Sequence, residues 1–235
     1  MILHSDDGTQ SINFDIDEKY NKILVNCSGG ADSAILLYMV VDYLMKNNRT
    51  DATVSVSTCA NDFKHRWNAR KAADVINWTI ANTGFANFDM HYTYYRDKQD
   101  TVYFHEVEHR LFQEGRTNLI ISGITNNPVV EASVLDINGT AVDLVDTGLP
   151  NRNVGEDEKA LNIRGGLEWA WYTPFHKVDK RFVASMYNQY NVMPLFDLTR
   201  SCEVIPIGDY NPEFEKTPCG ECWWCLERKW AFGRW

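Results

Sequence analysis

The segment Ile23-Leu24-Val25-Asn26-Cys27-Ser28-Gly29-Gly30-Ala31-Asp32-Ser33 limits the fold more than any other stretch of the chain, because it runs from an apolar strand through two glycines into a helix-length run. Adjacent glycines allow a tight turn and leave no Cβ between the backbone and a ligand. They deliver the chain to a helix start, where unpaired N–H groups and the helix dipole favour an anion. Ser28 and Ser33 add hydroxyl donors. Asp32, an odd neighbour for a phosphate, makes sense if it helps to hold Mg²⁺. The competing reading is an ordinary strand-to-helix turn capped by Asp32 or Ser33. A lone Ser-Gly-Gly would favour that reading, whereas the full Ser-Gly-Gly-x-Asp-Ser string behind the first core strand favours a phosphate site.

The rest of the chain alternates in the same way. Apolar and alternating runs predict strands at 22–25, 52–58, 88–95, 118–122 and 169–173, and longer patterned stretches predict helices at 32–46, 64–82, 99–114 and 179–190. Strands separated by helix-length segments imply an α/β fold, a Rossmann-like parallel sheet with helices on both faces. From 126 to 168 the sequence is rich in Asn, Gly and Asp and holds one strand-like piece, 140–145, which predicts a lid or substrate wall. With no repeat or linker, the chain divides into a main domain, 1–200, and a small C-terminal element, 201–235.

Charge narrows the partners. Thirty-two acidic against 23 basic residues give a net charge of -9, which argues against bulk nucleic-acid binding and for a small substrate. The first twenty residues lack the basic start and apolar core of a signal peptide. The longest apolar run, Ala34 to Val41, is too short for a bilayer. The expectation is a cytoplasmic protein with no membrane partner.

Six cysteines divide unevenly: Cys27 and Cys59 stand alone, while Cys202, Cys219, Cys222 and Cys225 crowd the last 34 residues. Cys-x-x-Cys-x-x-Cys with a fourth cysteine upstream predicts four thiolates closing a tetrahedral, structural zinc site. A redox pair or four core cysteines would not explain three even spacings beside a fourth. A DNA-reading zinc ribbon has similar spacing, but Glu221, Trp223, Trp224 and Glu227 flank the motif rather than a basic surface.

The Ser28–Ser33 string resembles the signature of the N-type ATP pyrophosphatases, the PP-loop superfamily. Ser201-Cys202 and Cys219-Gly220-x-Cys222-x-x-Cys225-x-x-Arg228 at the back make the whole similar to the 7-cyano-7-deazaguanine synthase (QueC) family. Lys64-His65-Arg66, Ile121-Ser122-Gly123-Ile124 and Thr173-Pro174-Phe175 before Lys180 agree in order. The resemblance implies an adenine nucleotide alpha hydrolase fold and three bound species: ATP, Mg²⁺ and Zn²⁺. It implies adenylation of a deazapurine-like carboxylate, attack by ammonia, and dehydration to the nitrile with a second ATP. Carried over by position, Ser28, Gly29, Gly30, Asp32 and Ser33 bind phosphate and Mg²⁺, and Lys180 neutralises charge developing between carboxylate and ATP. A solvated lysine in a first helix turn is the plain alternative for Lys180. Self-association as a homodimer is left open. Thr125-Asn126-Asn127-Pro128 departs from the family's deazaguanine pocket, which has an aspartate, a tyrosine and an Asp-Cys-Arg pattern. Two other readings share the loop: a PP-loop enzyme with another acceptor (tRNA thiolation, lysidine-type chemistry or a protein end), and a nucleotide-binding module without turnover.

Lesser candidates are His65 and Arg66 at the end of the second core strand, and His105 and His109, four apart on a helix whose Glu106 and Glu108 predict a solvated face. Asp143, Asp146 and the acidic run 156–158 read as surface. Tyr92, Tyr94 and Tyr95 read as core and sheet surface. Trp223 and Trp224 either pack the cysteine loop onto the body or form a partner surface.

Overall fold

The computed structural model describes residues 1–60, 67–95, 103–128, 132–145, 159–164, 167–202 and 217–235. In chain order the elements are β1 (Ile2–His4), β2 (Ser11–Asn13), β3 (Lys22–Asn26), α1 (Ala31–Lys46), β4 (Thr53–Ala60), α2 (Asn68–Thr83), β5 (Phe88–Tyr95), α3 (Tyr103–Gln113), β6 (Leu119–Ser122), β7 (Ser133–Leu135), β8 (Ala141–Asp143), β9 (Lys159–Arg164), β10 (Leu167–Tyr172), α4 (Lys180–Gln189), α5 (Met193–Leu198) and α6 (Trp223–Phe232).

The main sheet has the order β5-β4-β3-β6-β10-β9. Its first five strands are parallel, and β9 closes one edge antiparallel to β10. The chain therefore begins in the middle of the sheet, moves outward through β4 and β5, then crosses back to β6 and β10 on the other side. That reversal makes a switch point between β3 and β6, and ligands of open α/β sheets sit beyond the carboxyl ends of such strands.

Period-two alternation decides the two faces. Ile23, Val25, Val54, Val56, Leu119 and Ile121 join the large core with α1, α2, α4 and α5, while Leu24 and Ile120 turn the other way and meet Val107 and Leu111 of α3. Helices thus cover both faces, as the sequence predicts. In α1, Ala34, Ile35, Leu36, Leu37, Met39, Val40 and Val41 are all buried. A helix apolar nearly all round sits centrally, and α1 packs on α2, α4 and α5. Among the described residues no helix is long and apolar enough to cross a membrane.

Three features go beyond the sequence expectations. The antiparallel β1–β2 hairpin packs against α4: Asp6 N–H donates to Ser185 Oγ, and Gln10 and Asp179 exchange hydrogen bonds of 3.0 and 2.8 Å. The described part of the long insert holds the β7–β8 hairpin and edge strand β9. The residues after Cys222, read as flanks of a metal loop, form the helix α6.

Candidate functional site

The loop after β3 owes its shape to Gly29. Its φ is +77°, a left-handed conformation that side chains rarely adopt, and a Cβ there would press on the Lys71 side chain and lie 2.9 Å from the Ala72 amide nitrogen of α2. Arg200 N–H donates to Gly29 O at 2.9 Å, so the loop is held from both sides. Gly30 is the N-cap of α1, and no side chain caps it. Neither Asp32 nor Ser33 acts as the cap. The Ser33 hydroxyl instead ties the turn together, accepting from Ser28 N–H at 3.1 Å and lying 3.2 Å from Gly30 O. Among the described residues the amides of Ala31, Asp32 and Ser33 have no acceptor, leaving an unfilled helix start at the switch point. β6 closes the other wall: a Cβ on Gly123 would meet Asp32 O at 3.2 Å.

Asp32 faces Lys180, the first residue of α4, whose position is set by the Asp179 cap accepting from Arg181 N–H at 2.9 Å. Lys180 Nζ lies 2.9 Å from Asp32 Oδ2 and 3.0 Å from Glu227 Oε2 of α6, with only 2% of the lysine and none of Glu227 exposed. A solvated lysine is therefore not what the structure holds. One ammonium sits between two carboxylates, and Asp32 Oδ1 is buried without a hydrogen-bond partner among the described residues. An unanswered carboxylate oxygen is a hard ligand, so Asp32 Oδ1 fits one position around Mg²⁺, while the open amides beside it suit an anion. Tyr187 completes the support: its hydroxyl donates to Ala31 O at 2.8 Å, and burial pushes its pKa well above the ordinary range.

The four C-terminal cysteines converge. Their sulfurs lie within 4.8 Å of one another, with Cys219–Cys225 at 3.9 Å and Cys202–Cys222 at 4.0 Å. Thiolates about 2.3 Å from a tetrahedral ion stand about 3.8 Å apart, so the set has the dimensions of a metal site. Cys222 N–H donates to Cys219 Sγ at 3.2 Å, and hydrogen bonding among the sulfurs, with burial, raises the Cys225 thiol pKa, a crowding that a cation relieves. The element packs on the β7–β8 hairpin through Trp223, Trp224, Ala132 and Leu144, and Ile137 lies against Gly220. The described part of the insert, expected as a lid or substrate wall, thus braces the cysteine element. Phe232 of α6 reaches the main core, its ring 4.1 Å from that of Phe196.

No protein-family model and no curated protein matches the chain. Among solved structures it is similar to an FMN adenylyltransferase of Candida glabrata in complex with FMN and the ATP analogue AMPCPP, at 14% identity and a TM-score of 0.42, covering 71% of this chain and 48% of that one. The same enzyme with FAD and inorganic pyrophosphate gives 15% identity and a TM-score of 0.41, over 70% and 47% of the two chains. A U34-tRNA thiolase of Methanococcus maripaludis with its 4Fe-4S cluster gives 12% and 0.43, over 91% and 70%. The chain thus spans about half the length of the fungal enzyme.

The other sequence candidates scatter. Glu108 is not on a solvated face: it is 2% exposed and accepts from Asn26 Nδ2 at 2.8 Å. Tyr92 and Tyr94 pack in the α3 layer. Asp143 is exposed at the end of β8. His65, Arg66, Asp146, residues 156–158 and the side chains of Tyr95 and His105 lie outside the described residues. Glu227 and Tyr187 are the site residues that the sequence reading missed. A glutamate two positions after a cysteine in an otherwise apolar turn was the available signal for the first; a helix tyrosine offers none.

Proposed function

We propose that this chain is a PP-loop enzyme that adenylates a small substrate with ATP, releasing pyrophosphate, and that the substrate is a deazapurine-like carboxylate later attacked by ammonia. The observation that carries the reading is the start of α1 at the switch point, where among the described residues three amides have no acceptor behind a glycine whose conformation and packing admit no side chain. The amides of Ala31, Asp32 and Ser33, with the Ser28 hydroxyl, would hold the phosphates of ATP. A carboxylate oxygen of the substrate attacks the α-phosphorus, and pyrophosphate departs with the bonding electrons. Ammonia then displaces AMP to give the amide, which a second ATP dehydrates to the nitrile. Asp32 Oδ1 would hold Mg²⁺, which neutralises phosphate charge. Lys180 is assigned the negative charge that develops between carboxylate and ATP, while its ion pair holds the Asp32 side chain at the start of α1. Cys202, Cys219, Cys222 and Cys225 would hold structural Zn²⁺, which leaves no open position for chemistry. The deazapurine acceptor, and with it 7-cyano-7-deazaguanine as product, rests on the resemblance of the two end motifs.

Incubation of the purified protein with ATP, Mg²⁺, ammonia and 7-carboxy-7-deazaguanine should give AMP, pyrophosphate and the nitrile. ADP as the nucleotide product would overturn the adenylation. AMP formed only with another acceptor would overturn the deazapurine assignment alone. Asp32→Asn should abolish AMP formation and merely weaken ATP binding.

A further inference from the structure

Beside the loop, on the α2 side, lies a cavity of about 260 Å³ bordered by Lys71, Arg200 and Arg228. In a chain of net charge -9, three cations on one small cavity are unexpected. Among the described residues the carboxylate on its wall is Asp197, already answered by Arg234 at 2.5 Å. The cations are not equivalent. Arg228 donates to Thr199 Oγ1 at 2.7 Å and Phe196 O at 3.1 Å, and it lies 3.7 Å over the Phe196 ring, so it is committed to the fold. Arg200 is 8% exposed and stacks 4.4 Å from the Trp67 ring. Its Nη2 reaches Thr217 O only at 3.4 Å, and its Nε is buried with no partner among the described residues. Lys71 has no ion pair among the described residues. A buried guanidinium nitrogen without an acceptor is costly, and a cavity beside it is where an acceptor would come from.

We propose that this cavity is an anion subsite for a phosphate-class oxyanion, separate from the amides of α1 and held by Lys71 and Arg200. A planar guanidinium with a lysine beside it matches a tetrahedral oxyanion. The subsite adjoins the nucleotide loop through the same residues: Lys71 packs on Gly29, and the Arg200 backbone bonds Gly29 O. Its source is either the polyphosphate end of the nucleotide or a separate phosphate group, and only the first source rests on the nucleotide reading. Burial, the largest cause, with Arg70, Arg200 and Arg228 nearby, outweighs the opposing Asp74 carboxylate and holds the Lys71 ammonium below its ordinary pKa, a shift that a bound anion reverses. Cys202 and Cys225 also border the cavity. A divalent ion in four thiolates leaves two negative charges, fewer than the three cations present, so countering the metal site does not exhaust them.

Calorimetric titration of the full chain with pyrophosphate, inorganic phosphate, AMP and ATP tests this, in the wild type, Lys71→Gln and Arg200→Gln. Each variant should weaken pyrophosphate or phosphate at least tenfold while AMP affinity and metal content stay within twofold. Pyrophosphate bound far more tightly than phosphate supports the nucleotide end as source; equal binding supports a separate phosphate. The subsite is overturned if neither anion binds the wild type, if both folded variants keep wild-type affinity, or if they lose metal with anion affinity unchanged. If Arg200→Gln fails to fold, Lys71→Gln, at a half-buried position, decides alone. Should AMP and ATP not bind while phosphate titrates through Lys71 and Arg200, the nucleotide reading falls and the subsite stands.

Discussion

The loop after β3 and the cysteine element at the C-terminus are both built on a short motif with a left-handed glycine, yet they are held in opposite ways. A Cβ on Gly29 (φ +77°) would meet helix backbone, Ala72 N and Lys71 C both at 2.9 Å; one on Gly220 (φ +73°) would meet Ile137, first its Cβ at 2.8 Å, on a residue 55% exposed in a surface turn. The loop is defined by main-chain geometry and offers amides. The cysteine element is defined by where four sulfurs meet, and its backbone has latitude. Backbone sites therefore fail through single methyl groups, and side-chain sites fail through loss of what they bind.

The largest effect should come from the second kind of failure. Stripping metal with a chelator, or Cys222→Ser, should remove several kcal/mol, given about 10–16 kcal/mol for structural zinc in isolated fingers. At about 2–4 °C per kcal/mol for a chain of this size, the melting temperature should fall by ~10 °C or more, read by circular dichroism together with metal content. An unchanged melting curve after complete metal loss would break the comparison.

Next is Lys180, which joins the two regions. Lys180→Met leaves the fully buried Glu227 carboxylate facing the partly buried Asp32 carboxylate and should cost ~3–5 kcal/mol in urea unfolding. Lys180→Met with Glu227→Gln should recover part of that loss. Strict additivity would show that the cluster does not couple the loop to α6.

The glycines give a direct contrast. Gly29→Ala combines the left-handed cost of ~1–2 kcal/mol with a clash against helix backbone and should exceed ~3 kcal/mol, while Gly220→Ala should cost less, because relieving its clash with Ile137 Cβ moves an exposed turn rather than a helix. Equal losses would mean that the loop is as pliable as the cysteine element.

The smallest effect concerns pH. Burial holds the His91 imidazole below its usual pKa, and His91 Nε2 lies 2.8 Å from Thr58 Oγ1, which donates to Cys27 O behind the loop. The unfolded chain then takes up the proton first, so this contribution is intact above pH ~6.5 and is lost as pH falls below it. The loss should be under ~1 kcal/mol, and His91→Gln should flatten that part of the stability profile.

The central sheet was legible because Leu24 and Ile120 alternate with neighbours of opposite facing, and because a buried parallel sheet needs helices between its strands. The loop and the four cysteines were legible because their chemistry is confined to a few residues at set spacing. Edge strand β9 was not: its segment Lys-Ala-Leu-Asn-Ile-Arg sits in a polar insert and, among the described residues, pairs along one edge. Helix α6 was hidden by the motif itself, since Trp223-Trp224-Cys225 drew attention to metal ligation rather than to a helix start. Lys180 was singled out for charge, but its two carboxylate partners come from far along the chain, and pairing over such separation leaves no local pattern. Arg200 and Lys71 were missed for the same reason.

The cluster of Asp32, Lys180 and Glu227 has a temporal consequence. During synthesis the aspartate at the front of α1 emerges long before the glutamate of α6, and the lysine cannot be clamped from both sides until α6 docks. A chain interrupted ahead of residue 227 would bring its first helix and α4 together with one arm of the clamp missing. Maturation of the front turn thus waits on a helix translated long after it.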